Sequence, residues 1–326
     1  MRVGICYTKR NPETKQLYKK FSQGVSAYGD EVVSIKTAKD AKNLIPICDV
    51  TFQICDVTGG KMASEDQLRS TIYKLCKQHN KRRLILDVGL FQIPDQDKHW
   101  SIGYDGIKGA AMFYNENSPS DRKDSRKIKV KPWSTKGEEI HILCQTLKGA
   151  GLKHIGQAEA EKYFKELPAR IRKYTDRKIV LRLHPKQNAD TKAFTNIDKV
   201  KRKSNIKNFE IINSAKNNFM SSLKNMYCCI TRTSAAAIPA LLHGVPSISE
   251  DDYNICNPVC DRDLSNIENI LKPDREQWVN DLCYAEWSMK DLENSTTWSH
   301  FRPHVNKNKN ESAKTRKSVG VHTTAI

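Results

Sequence analysis

Short apolar runs alternate along the chain with stretches whose apolar residues recur every three or four positions. RVGICY (2–7), VVSI (32–35), DVTFQIC (49–55) and RRLILDVGL (82–90) read as strands, the continuous ones as strands buried on both faces. Between them, 13–28 places Leu17, Phe21 and Val25 four apart on one helical face, and a further helix is predicted over 63–79. This βαβα order predicts a parallel sheet covered on both faces. From 91 to 137 the pattern loosens into Gly, Ser, Pro and charge, as in GYDGIKGAAMF, NENSPSDRKDSRK and IKVKPWSTKG, which predicts long loops or an interdomain segment.

Alternation then restarts. EIHILCQ (139–145), KIVLRLHP (178–185), FEIIN (209–213), CCIT (228–231) and VPSIS (245–249) are predicted strands. Helices are predicted over 157–174, 220–227, 234–244 and 275–287. Two successive α/β halves predict two Rossmann-like domains with parallel sheets facing a central cleft. The boundaries read as 1–135, 136–285, a segment 286–304 that returns to the first domain, and a disordered basic tail over 305–326.

Composition changes this picture in one respect. Lys and Arg number 55 against 37 Asp and Glu, a formal net charge of +18, which recruits polyanions; duplex DNA is the leading expected partner. No apolar stretch has the length of a signal core or membrane span, so the expected location is the cytoplasm and no membrane partner is expected. The ten cysteines form no CxxC pair and sit mostly inside apolar runs, where they read as small buried residues rather than metal ligands.

Two motifs carry candidate chemistry. Thr231-Arg232-Thr233-Ser234 follows a strand and precedes a small-residue helix, so hydroxyls, a cation and helix N–H groups converge where a phosphate could bind. Thr233 and Ser234 also suit the helix N-cap, and Gly244 its C-terminal end. About fifty residues earlier, Arg182-Leu183-His184-Pro185-Lys186 ends another strand and offers three more donors. Ligands of open α/β sheets bind at the carboxyl ends of strands, where both motifs fall. No GxGxxG follows any of these strands, which argues against a dehydrogenase.

The pairing of RLHPK with TRTSAAAIPALLHGVPSIS resembles nucleotide-sugar glycosyltransferases of the two-domain GT-B type. DVGLF (87–91), SPSDR (118–122), KPWSTKGEEIHILCQ (131–145), RKYTDRKIVLRLHP (172–185) and PDREQWVNDLCYAEWSMKDLENSTTW (273–298) extend the resemblance, which is then to phage glycosyltransferases that modify DNA. It implies donor contacts by His184, Thr233 and Ser234, with Arg182, Lys186, Thr231 and Arg232 nearby. Arg232 stands where Ser or Thr is usual. It further implies a nucleotide-sugar cosubstrate, most simply a UDP-sugar, no bound metal or permanent cofactor, and a hydroxyl of a hydroxymethylated or already glycosylated pyrimidine as acceptor.

In such enzymes a carboxylate at a strand end of the first domain takes the acceptor's proton. Asp87 is the candidate here, with Asp121 and Asp105 as alternatives. Lys81, Arg82, Arg83, Lys98, Trp100, Lys108, Arg122, Lys131 and Trp133 are the candidate DNA contacts. The competing readings are a transferase of capsule or wall polysaccharide, a sugar-nucleotide 2-epimerase, and a non-catalytic nucleic-acid binder.

Overall fold

The computed structural model describes residues 1–8, 11–56, 64–91, 97–134, 136–147, 149–185, 206–213 and 217–307. The chain divides into two compact units, Met1–Arg126 together with the chain from Val279 onward, and Lys127–Trp278. The sequence reading drew these divisions at 135/136 and 285/286. The second division in fact falls inside a helix, Glu276–Cys283, where no change of composition marks it.

The sheet of unit 1 contains β1 (Arg2–Cys6), β2 (Glu31–Ile35), β3 (Val50–Ile54), β4 (Arg82–Val88), β5 (His99–Tyr104) and, after unit 2 has been built, β11 (Glu286–Ser288). Its order is β11-β5-β4-β3-β1-β2. The first four strands are parallel, β5 runs antiparallel to β4, and β11 antiparallel to β5. Helix α1 (Pro12–Ala27) starts where Asn11 Oδ1 accepts the Thr14 N–H at 2.9 Å and Pro12 occupies the first turn. Its apolar stripe buries Leu17, Tyr18, Phe21 and Val25, and Phe21 stacks on Phe52 of β3 with ring centroids 3.9 Å apart. Helices α2 (Ala38–Leu44) and α3 (Ser64–Gln78) complete the first βα succession.

Neither β5 nor β11 was expected. HWSIGY sits inside the segment read as loops, and EWS overlaps the last two residues of the predicted helix 275–287. Both runs become strands because they close the apolar edge beside β4. Trp287, Trp298 and Phe301, each at most 1% exposed, join Val3, Ile5, Phe52 and Ile102 in one core cluster. Burial of side chains this large stabilises by about 1.5–3 kcal/mol each.

Unit 2 is built on β6 (Glu139–Leu143), β7 (Lys178–Leu183), β8 (Phe209–Asn213), β9 (Met226–Thr231) and β10 (Ser247–Ile248), all parallel, in the order β10-β9-β6-β7-β8. Alternation along the strands sends Ile140, Ile142, Ile179, Leu181 and Phe209 to one face, where α5 (Gly156–Ile171) covers them with Phe164, Leu167 and Ile171. The opposite face carries His141, Val180, Arg182 and Ile212. The helix expected over 220–227 is a single turn, Phe219–Ser222, followed by a 3-10 turn, because Met226 already pairs with Glu139 as strand. Among the described residues no helix is long and apolar enough to cross a membrane.

Candidate functional site

The strand order of unit 2 fixes where a ligand would sit. From β6 the chain steps outward to β7 and β8, then returns to the other side of β6 to lay down β9 and β10. With right-handed crossovers, the connections leaving β6 and β9 depart on opposite faces, so a crevice opens between their carboxyl ends. Register puts the two motifs at that edge. Arg182, Leu143 and Thr231 are level across β7, β6 and β9, so His184, Gln145 and Thr233 come next. His184 and Thr233 thus lie two strand spacings apart, about 10 Å.

The turn after β9 is tightly bonded. Thr231 is fully buried, and its Oγ1 accepts the Ser234 N–H at 3.0 Å. Gln145 grips Thr233 twice: its Oε1 accepts the Thr233 N–H at 3.0 Å, and its Nε2 donates to Thr233 Oγ1 at 2.6 Å. Thr233 Oγ1 donates onward to Gly151 O at 2.9 Å. The Thr233 hydroxyl therefore ties the turn after β9 to the chain that follows β6, while the Thr231 hydroxyl braces the turn itself. Ser234 Oγ accepts the Ala236 N–H at 3.3 Å and keeps its own proton for another acceptor.

One expectation needs correction here. The following helix is Ala237–Leu242, not 234–244, its N-cap is Ala236, and no side chain caps it. Thr233 and Ser234 shape the turn ahead of the helix instead.

Arg232 is held from a residue the sequence did not single out. Its Nε donates to Asp251 Oδ2 at 2.7 Å, and the same oxygen lies 2.8 Å from Nε2 of His154. Asp251 also accepts the Tyr253 N–H on Oδ1 at 2.9 Å, and its side chain is only 2% exposed. The guanidinium of Arg232 lies over the Tyr163 ring, 4.7 Å from its centroid, and the His154 ring packs edge-on against Tyr253. Burial pushes the Tyr163 hydroxyl above its ordinary range, so it is protonated at neutral pH. The result is a rim of Arg232, His154 and Ser234 around the crevice, with one buried carboxylate orienting both the guanidinium and the imidazole.

Gln145, His154 and Asp251 lie 88 and 97 residues from their partners or beyond an intervening strand, and no local pattern announces them. The remaining predicted donor residues are dispersed. His184 is half-buried directly after β7. Arg182 is 2% exposed and turned onto the sheet face opposite α5, where Nη2 donates to Asn217 O at 2.7 Å. Lys186 lies outside the described residues, as does the chain beyond 307.

In unit 1, Asp87 is half-buried at the carboxyl end of β4, paired in register with Ser101. Asp105 lies at the opposite end of that sheet. It accepts Arg82 Nε at 3.0 Å and the Arg83 N–H at 2.9 Å, in a left-handed backbone conformation (φ 61°). Asp121 is exposed and accepts the Tyr284 hydroxyl at 2.9 Å.

Three predicted DNA contacts are corrected outright. Arg82 and Arg83 are 2% and 4% exposed and paired with Asp105 and Asp56 at 3.0 and 2.8 Å, and Trp100 is a core residue. Such cations stabilise the sheet's start and offer no charge to a phosphate. Lys98 pairs with Glu13, and Arg122 lies over the Trp287 ring while bonding Glu286 O at 2.9 Å. Lys108 opens a short 3-10 turn, and Lys81 is half-buried ahead of β4. In unit 2, Lys131 is exposed, and Trp133 donates to Pro273 O at 3.2 Å beneath the Arg275 guanidinium.

No family model matches the sequence, and neither does any curated protein. Solved structures give distant likenesses. KpsC of Thermosulfurimonas dismutans, a beta Kdo 2,4 transferase, is 12% identical over 87% of this chain and 89% of its own, with a TM-score of 0.47. The O-GlcNAc transferase of Thermobaculum terrenum is 11% identical over 98% and 68%, at 0.37. The UDP-GlcNAc 2-epimerase of Methanocaldococcus jannaschii is 11% identical over 92% and 100%, at 0.34. Likenesses at these scores carry no argument about activity or ligand.

Proposed function

We propose that the chain is a glycosyltransferase of the GT-B type that moves a sugar from a nucleotide donor, most simply a UDP-sugar, to a hydroxyl on a modified pyrimidine of duplex DNA. The observation that carries the donor half is the polar rim at the strand-reversal crevice of unit 2. In an open parallel sheet this is where a nucleotide's phosphates are bound, and the groups present there suit a diphosphate. Arg232, set by Asp251, supplies guanidinium N–H donors. The Ser234 hydroxyl and His154 supply donors, with His184 at the same edge.

In the reaction the acceptor hydroxyl loses its proton to a base, for which Asp87 is the candidate. Its oxygen bonds to the anomeric carbon, and the bond from that carbon to the phosphate oxygen breaks. The electron pair leaves on the diphosphate, where Arg232 and the neighbouring donors stabilise it. Support for a DNA acceptor is the net charge of +18 and the sequence resemblance.

The test is transfer by the purified chain from a panel of nucleotide sugars to duplexes carrying hydroxymethylcytosine, hydroxymethyluracil, a glycosylated base or no modification, read by nucleoside mass spectrometry. One sugar mass on one modified base is expected. Asp251→Ala should weaken donor binding by at least about tenfold, since it releases the Arg232 and His154 side chains from their set positions. Donor binding without transfer to any duplex would move the acceptor to a polysaccharide or lipid, and absence of donor binding would sink the proposal.

A further inference from the structure

The face of the unit 2 sheet that α5 does not cover contains a cavity of about 210 Å³, lined among others by Glu139, His141, Lys178, Arg182, Asn217 and Ser221. It shares no lining residue with the crevice at the carboxyl ends of β6 and β9. Two of its walls are ionisable side chains buried without full partners. Arg182 is 2% exposed, and Nη2 makes its hydrogen bond; Nε and Nη1, with three N–H hydrogens between them, meet no acceptor among the described residues. The Phe219 ring lies 5.3 Å from the guanidinium carbon.

The carboxylates of the cavity wall are already engaged by Lys178 and His141. Glu139 takes Lys178 and His141, each at 2.9 Å, and Glu210 takes Lys178 at 2.9 Å. Burial lowers the pKa of Arg182 and no acid raises it back. A buried guanidinium without a counter-anion is costly, and proteins that keep one usually supply the anion.

His141 sets which anion. It is 1% exposed and turns Nε2 to the Glu139 carboxylate, so that nitrogen carries the proton. Burial lowers the ring's pKa; Glu139 pushes it back up and Arg182 adds to the lowering, so the net direction leaves the ring neutral at pH 7. Nδ1 is then a bare acceptor, buried, to which no described residue donates.

Arg182 and His141 both line the cavity, so its wall holds unpartnered donors and an unpartnered acceptor among the described residues. Sulfate and carboxylates bring acceptors only. The hydrogen phosphate ion brings anionic oxygens and an O–H together. A phosphate monoester has a second pKa of about 6 and has largely lost its O–H at pH 7. We propose that this cavity is a second anion site, which binds hydrogen phosphate with its anionic oxygens on Arg182 and its O–H donated to Nδ1 of His141. The site is independent of the donor reading above.

Calorimetry on the full chain at pH 7 and constant ionic strength tests it with inorganic phosphate, sulfate and methyl phosphate. One phosphate should bind at least about tenfold tighter than sulfate or methyl phosphate, because those leave Nδ1 without a donor. Arg182→Met should abolish this binding, while Ser234→Ala, at the other site, should retain it. His141→Leu should keep anion binding and erase the preference for phosphate, which holds the test open if the Arg182 variant fails to fold. No binding, equal binding of phosphate and sulfate, or binding that survives in Arg182→Met and is lost in Ser234→Ala would each overturn the proposal.

Discussion

Asp30 receives donors from three residues on one carboxylate: Nε and Nη2 of Arg302 at 2.6 and 3.2 Å, Nε1 of Trp298 at 2.7 Å, and the amino group of Met1. Burial works to raise its pKa, but the bonds from Arg302, the amino terminus and Trp298 outweigh it and hold the carboxyl well below its usual range. A depressed folded pKa contributes stability above the unfolded value, near 3.9, that is lost as pH falls toward the folded one. The melting temperature followed from pH 7 to pH 2.5 should therefore drop below about pH 4. Asp30→Asn should start lower at pH 7 and lose less over the same range; an unchanged acid slope would remove Asp30 from the account. The residue scale is also where the sequence was least legible. Arg82 and Arg83 looked like a basic patch because nothing nearby reveals that Asp105 and Asp56, 23 and 27 residues away, neutralise them. The same blindness hid Asp251, while Arg232 itself could be named from its place after a strand.

Elements were more legible, because periodicity is local. β1, β4, β6, β7 and β8 lie where continuous apolar runs predict them, and Gly244 falls where the helix Ala237–Leu242 needs a left-handed residue (φ 83°). There Val245 N–H bonds Ala240 O at 2.9 Å and Gly244 N–H bonds Leu241 O at 3.1 Å, the paired bonds that close a helix C-terminus. β5 and β11 escaped because these short antiparallel strands, β11 at the sheet edge and β5 beside it, carry aromatic and polar residues without a clear period. Gly244 also lets another strand of chain come close: a Cβ there would lie 2.0 Å from Pro132 O. Gly29 has a similar φ of 93° but open space around it. Gly29→Ala should thus cost about 1–2 kcal/mol from backbone strain alone. Gly244→Ala should cost visibly more in denaturant unfolding; equal costs would mean that the Pro132 segment yields freely.

For the whole molecule, the net charge of +18 makes a prediction that individual contacts do not. With Arg82, Arg83 and Trp100 committed to the interior, the proposed DNA acceptor has to be held by cations still exposed, such as Lys131. Anisotropy titrations of a duplex should give log K against log salt with a slope steeper than about −3, corresponding to several neutralised phosphates. A flat dependence would detach the charge from nucleic acid. The two-unit division has a consequence of another kind. Unit 1 is completed only by β11 and the helices Met289–Glu293 and Thr296–Phe301, which follow all of unit 2 in the chain. During synthesis on the ribosome, β5 waits without its neighbour and the Trp298 pocket stays unfilled while 152 residues of unit 2, Lys127–Trp278, emerge as a contiguous block able to fold first. The first half translated is the last to be finished, and its unpaired edge is the surface a nascent-chain chaperone would have to shield.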